Sequence, residues 1–124
     1  MSEKIYTKTA PDAIGPYSQA IRAGGFLFTS GQIPIDPASG TVTAQGIEEQ
    51  THQICKNLGE VLKAAGMGFE NVVKTTCFLD SMDDFAAFNE VYAQYFTSKP
   101  ARSCVEVAKL PKGVLAEVEL IAAE

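Results

Sequence analysis

The chain has 124 residues, 46% of them apolar and 20% charged, the balance of one globular domain spanning residues 1–124 rather than of a disordered chain. Its net charge is −5 and no two of its ten Lys and Arg residues are adjacent, so it lacks the basic stripe with which proteins grip a phosphate backbone, and nucleic acid is not an expected partner. Three cysteines in no zinc-like spacing, no apolar run of membrane length and no signal-peptide pattern at "MSEKIYTK" lead to the expectation of a reduced, cytoplasmic protein that needs no metal and no membrane.

In chain order, a short first strand is expected at residues 4–7. "SQAIRAGGFLFTSG" then reads as two strands around Gly24-Gly25, a two-residue hairpin signal. Phe26, Leu27 and Phe28 make the second of these apolar on both faces, which predicts a central place in its sheet. "GQIPIDPASG" reads as loop and turn, because Pro34 and Pro37 interrupt regular pairing.

Apolar residues from Ile47 to Ala65 recur at helical spacing, which predicts a helix over 46–65 closed by Gly66. Gly59 inside it suggests close packing on a sheet. "NVVKTTCFLD" predicts a strand with Val73, Thr75, Cys77 and Leu79 on one face, and with Val72, Lys74, Thr76 and Phe78 on the other. Cys77 reads as a small buried hydrophobe. Ser81 and Asp84 form a capping-box-like pair ahead of a second helix, whose stripe Phe85, Phe88, Val91, Tyr92, Tyr95 and Phe96 reads as core. Asn89 lies beside that stripe, either in solvent or hydrogen-bonded at the helix edge.

"ARSCVEVAKL" and "VLAEVELIAA" read as two strands joined through "PKG" in a hairpin. In a regular register one face of that hairpin carries Arg102, Cys104 and the carboxylates Glu117 and Glu119. Two readings are open for this face: a solvated surface with cross-strand Arg–Glu pairs, or a site that holds an anion on Arg102 and moves a proton on a carboxylate. The lone histidine, His52, lies in the first helix, so a nucleophile–histidine arrangement would have to use it. The whole predicts an α+β domain, a mixed β-sheet with two helices packed on one face. The opposite sheet face has no layer of its own to cover it, which points to self-association.

"AIGPYSQAI", "FTSGQIP" and "PARSCVEVAKLPKG", with "VEL" after it, resemble the signature segments of the Rid (YjgF) family, in its RidA branch of enamine/imine deaminases, and "VKTTCFLDSMDDFAAFNEVYAQYF" agrees with it. The resemblance runs from Ala10 to Ala122. It implies a chorismate-mutase-like fold, a homotrimer whose sheets form a central β-barrel, and sites in clefts between subunits. It also implies hydrolysis of the imino acids that pyridoxal-phosphate enzymes release, such as 2-aminoacrylate and 2-aminocrotonate in their imine forms, to 2-oxo acids and ammonia with no cofactor. By the same resemblance Arg102 binds the substrate carboxylate and Glu117 activates water. Cys104 and Tyr17 line and close the pocket, Ser30 and Gly31 form its floor, and Asn89 sits at its edge. Ribonuclease activity or translation inhibition, attached to some relatives, and non-catalytic binding of 2-oxo acids or other small carboxylates are the alternatives.

Overall fold

A computed structural model describes the chain from Met1 to Glu124. The elements run β1 (Ser2–Ile5), β2 (Ala20–Ala23), β3 (Phe26–Thr29), α1 (Gly46–Ala64), β4 (Val72–Leu79), α2 (Phe85–Tyr95), β5 (Ala101–Glu106) and β6 (Ala116–Ala123), with single 3-10 turns at Phe69–Asn71, Met82–Asp84 and Pro111–Gly113. The six strands form one mixed sheet in the order β1-β2-β3-β6-β4-β5, and both helices pack on one face of it. This is the expected α+β architecture.

The local signals behave as their chemistry requires. Gly24 and Gly25 take φ of 57° and 81°, the left-handed pair that turns β2 into β3 with matching twist. Helix α1 ends in a Schellman closure: Met67 N–H donates to Leu62 O and Gly66 N–H to Lys63 O, with Gly66 at φ 74°. Ser81 Oγ accepts from Asp83 N–H, but it caps the 3-10 turn that leads into α2, and the reciprocal bond from Asp84 is not made. Gly59 faces the Phe69 ring rather than the sheet, for a Cβ there would lie 3.2 Å from Phe69 Cε2.

The expected hairpin of β5 and β6 does not form. β4 lies between them, antiparallel to β6 and parallel to β5. A β4–α2–β5 crossover brings the two strands in side by side in the same direction, as a helix-length connection does. The segment from β5 to β6 then has to pass over β4, and it does so through a 3-10 turn with Lys112 and Gly113 at positive φ. The phase of β4 also departs from regular alternation. A bulge between Val72 and Lys74 buries Val72 to 3% exposure and turns Val73 out at 45%.

The core lies between the sheet and the helices. Leu27, Cys77, Leu79, Val118 and Leu120 from the strands meet Ile54, Leu58, Val61, Leu62 and Phe88 from the helices, all essentially inaccessible. Each such side chain contributes roughly 1.5–3 kcal/mol by leaving water. The opposite sheet face has no cover within the chain. It carries Phe26, Phe28 and Val105 at 43–45% exposure, with Ile21, Phe78 and Ile121 half-buried among them.

Candidate active site

Glu117 and Glu119 alternate with Ala116, Val118 and Leu120 along β6, so the buried residues point to the helices and the carboxylates to the open face. Beside them runs the segment after β3, held to β6 by Gln32 N–H donating to Val118 O and Val118 N–H to Gln32 O. This places Gly31 against the Glu117 carboxyl group. A Cβ at Gly31 would overlap Glu117 Oε2 and come within 2.9 Å of its Cδ. Glycine matters there for close approach rather than for its backbone angle, because any Cβ would push the Glu117 carboxyl group aside.

The loop before β2 supplies the rest of this wall. Gln19 is 3% exposed, and its carboxamide works as a latch: Nε2 donates to Thr7 O and Pro11 O at 2.9 and 2.8 Å, and Oε1 accepts from Thr7 N–H at 2.8 Å. Ser30 Oγ donates to Ser18 O at 2.6 Å. These bonds hold Tyr17, half-exposed at 50%, over a cavity of about 550 Å³ that it shares with Asp12, Ser30, Gly31, Glu117 and Glu119. Three carboxylates and no basic side chain line it. Burial raises the Glu117 carboxyl group above its ordinary range, and the neighbouring charge of Glu119 adds to the rise. Glu117 is thereby suited to hold and return a proton nearer to neutrality.

Arg102 and Cys104 lie elsewhere. Their partners across β4 are Thr75 and Cys77, which face the helices, whereas Glu117 pairs with Phe78 on the open face. The expectation that Arg102, Cys104 and the carboxylates share a face is therefore overturned. Both strands alternate as read, but β4 between them sets their phases in opposition. Within one chain the sheet separates Arg102 from Glu117.

Arg102 Nη1 donates to Asn89 Oδ1 at 2.7 Å, so Asn89 is the hydrogen-bonded helix-edge residue of the two options open for it. The guanidinium carbon stands 4.8 Å from the Tyr92 ring centroid and 5.4 Å from that of Phe85. Arg102, Asn89, Tyr92 and Lys99 line a second cavity of about 320 Å³. The chain's two ion pairs both belong to Arg22, so the half-buried Arg102 has no carboxylate partner of its own. Cys104 is half-buried, and burial raises its thiol above the ordinary range against the lowering pull of Arg102. Cys77 beside it is pushed up to about 12, chiefly by burial. Neither sulfur is a ready thiolate nucleophile. His52 is remote from both cavities, its Nδ1 2.8 Å from the Tyr95 hydroxyl between the helices. No three His, Cys, Asp or Glu side chains converge in a metal-binding cluster.

Two half-sites thus stand on opposite faces: an acidic cavity with Tyr17, Ser30, Gly31 and Glu117, and a basic one with Asn89 and Arg102. The family model described as Endoribonuclease L-PSP matches residues 7–124. The chain belongs to this family, also called YjgF or Rid. It is similar to a RutC family protein of Pyrococcus horikoshii, 55% identical over 98% of both chains. It is 51% identical to the human 2-iminobutanoate/2-iminopropanoate deaminase, over 95% of this chain and 87% of that one. Among solved structures, E. coli TdcF with bound serine superposes with a TM-score of 0.93 at 42% identity, over 98% of both chains. The E. coli YjgF gene product gives the same TM-score at 44% identity and the same coverage. The family named from the motifs is confirmed, as is the fold it implied.

Sequence reasoning passed over Gln19, Asp12 and the aromatic rings beside Arg102. Phe85, Asn89 and Tyr92 follow one another at i, i+4 and i+7, a stripe that places a ring on either side of an amide along one helix face. That spacing was the available signal. Gln19 gave none beyond being a polar residue ahead of an apolar strand.

Proposed function

We propose that this protein hydrolyses 2-imino acids and their enamine tautomers to 2-oxo acids and ammonia, in a homotrimer whose clefts bring Arg102 of one copy to Glu117 of another. The observation that carries the reading is Arg102: a half-buried guanidinium with one edge on Asn89 and no carboxylate in its own chain. A planar fork of that kind matches a substrate carboxylate. The bare apolar sheet face supports the assembly, and relatives about 50% identical bear the imine deaminase name.

The chemistry needs no covalent nucleophile, because the imine carbon is already electrophilic. Arg102 orients the substrate through its carboxylate. Glu117 takes a proton as water adds to the carbon and returns it to nitrogen, which gives a carbinolamine; it then carries the hydroxyl proton to nitrogen, and ammonia leaves as the C–N bond breaks and the C=O bond forms. For an enamine, protonation at carbon comes first and gives the imine. Tyr17 closes the cleft, Ser30 and Gly31 form its floor, and Cys104 lines it beside Arg102. Positioning of this kind supplies several kcal/mol of the barrier reduction.

The test is keto-acid release in the presence of a pyridoxal-phosphate enzyme that generates 2-aminoacrylate. Arg102→Ala should abolish the acceleration, at a cost on the order of 2–5 kcal/mol. Arg102→Lys should restore little of it, because a point charge does not reproduce the fork. An Arg102→Ala protein as fast as the parent removes the clamp from the mechanism.

A second reading is a binder of small carboxylates without turnover, favoured by the serine bound to E. coli TdcF. Calorimetry with 2-oxobutanoate on Glu117→Gln separates the two: a deaminase loses turnover and keeps the ligand, whereas for a binder there is no turnover to lose. The acidic cavity, which would repel phosphates, weighs against RNA as the substrate.

A further inference from the structure

Three groups hold the Arg102 guanidinium, and all lie on one stripe of α2. Asn89 Oδ1 takes Nη1, and the Tyr92 and Phe85 rings stand 4.8 and 5.4 Å from the guanidinium carbon. Behind them lies Thr75, the partner of Arg102 across β4 and β5, whose hydroxyl lies 2.7 Å from the Tyr92 hydroxyl in a bond sealed from water. The Tyr92 ring is in turn stacked on Phe96, with centroids 4.3 Å apart and planes 23° apart, and flanked by Phe88. Tyr92 is 8% exposed, and it reaches the small cavity beside Arg102. Packing against Phe96 and Phe88 keeps that ring from turning away from the guanidinium, and the hydroxyl bond adds to the stability of the fold.

A long side chain at a strand surface ordinarily loses rotamer freedom when it binds a ligand. Here the freedom is already lost. Cation–π attraction to ring faces holds a guanidinium plane in a way it cannot hold an ammonium. We propose that Tyr92 and Phe85 are positioning residues of the carboxylate clamp, their rings aiming Arg102 so that the edge left free by Asn89 meets the substrate. The inference rests on the reading of Arg102 as the carboxylate-binding residue.

A merely structural Tyr92 predicts something different, and two substitutions separate the cases. Tyr92→Phe removes the hydroxyl, leaves Thr75 without its partner and keeps the ring. Tyr92→Leu removes the ring. Phe85→Leu, at a half-buried position, probes the second ring with little risk to folding. The assay is 2-imino acid turnover, resolved into kcat and KM, together with calorimetric binding of 2-oxobutanoate and thermal melts of the same proteins. The expected result is a KM and a 2-oxobutanoate Kd raised roughly tenfold in Tyr92→Leu, less in Phe85→Leu, with kcat changed less than either, a scale consistent with a desolvated cation–π contact. Tyr92→Phe should melt at a lower temperature yet restore KM to near the parent value. If the two leucine variants bind 2-oxobutanoate as the parent does while Arg102→Ala does not, the positioning role is wrong and the clamp stands. If Tyr92→Phe raises KM as much as Tyr92→Leu, the hydroxyl and not the ring is what matters, and the proposal fails. If Arg102→Ala itself leaves KM and Kd unchanged, the clamp reading falls and takes this inference with it.

Discussion

Gly31 and Glu117 show how much of a site can rest on an absent side chain. Gly31→Ala would drive a methyl group into the Glu117 carboxyl group. Displacement by about 1 Å is enough to cost on the order of a hundredfold in rate, so kcat should fall steeply while circular dichroism and the oligomeric state stay as in the parent. Glu117 also bears on stability. Its carboxyl group is raised in the folded protein by burial and by Glu119, so folding favours the protonated form. The favourable contribution is complete below the unfolded-state value and is lost as pH rises through the folded one. Glu117→Gln should therefore melt no lower than the parent at neutral pH and somewhat higher if anything. The difference should shrink as pH falls through the carboxyl range in a series of melts. Arg102 and Glu117 could be singled out from sequence because they are polar residues in apolar strands and stand inside specific motifs. The contact between Gly31 and Glu117 could not, because it joins residues far apart in the chain, and "SGQ" contains nothing that names its neighbour.

At the level of elements, alternation within each strand was legible and the pairing of strands was not. The inward residues of β6 were read correctly, but in β5 it is Arg102 and Cys104 that turn to the helices and Val105 that faces out. The relative phase of the two strands was read wrongly, because it is set by β4, which enters from a different part of the chain. The bulge at Val72 escaped for a similar reason, since a single extra residue leaves no mark on a β-branched run. The loop carrying Tyr17 was legible only as a motif, and its fixation by Gln19 is a fact of the fold. Gln19→Ala strips hydrogen bonds from Thr7 and Pro11 at a buried position and should lower stability by about 1–3 kcal/mol. If the latch serves catalysis through Tyr17, the double variant with Tyr17→Ala should be no slower than Tyr17→Ala alone. Multiplicative losses in kcat/KM would show the latch and the tyrosine acting separately. Gly66→Ala makes a contrasting case. It burdens the left-handed closure of α1 by about 1 kcal/mol, and it should lower Tm while leaving KM untouched.

For the whole molecule, the governing fact is that acidic and basic half-sites stand on opposite faces of one sheet. Phe28, at 43% exposure on the uncovered face, is the place to test the assembly. Phe28→Glu should shift the protein to a monomer in sedimentation velocity and abolish turnover, although Arg102 and Glu117 are both intact. A more pointed test mixes two inactive proteins. If each cleft takes Arg102 from one copy and Glu117 from another, Arg102→Ala and Glu117→Gln chains unfolded and refolded together should recover part of the activity. Each refolded alone should recover none. A mixture as inactive as its components would mean that the two residues never meet across an interface.

The sheet that parts Arg102 from Glu117 also changes what a defect means. In the proposed ring each chain lends its arginine to one neighbour and its glutamate to the other, so no chain owns a site. A copy with a collapsed sheet face would silence two clefts, each shared with a sound neighbour. A copy lacking only Arg102 or only Glu117 would silence one and leave the other working. Surface lesions should then be dominant in a mixed population, and lesions of the chemistry should be diluted in proportion.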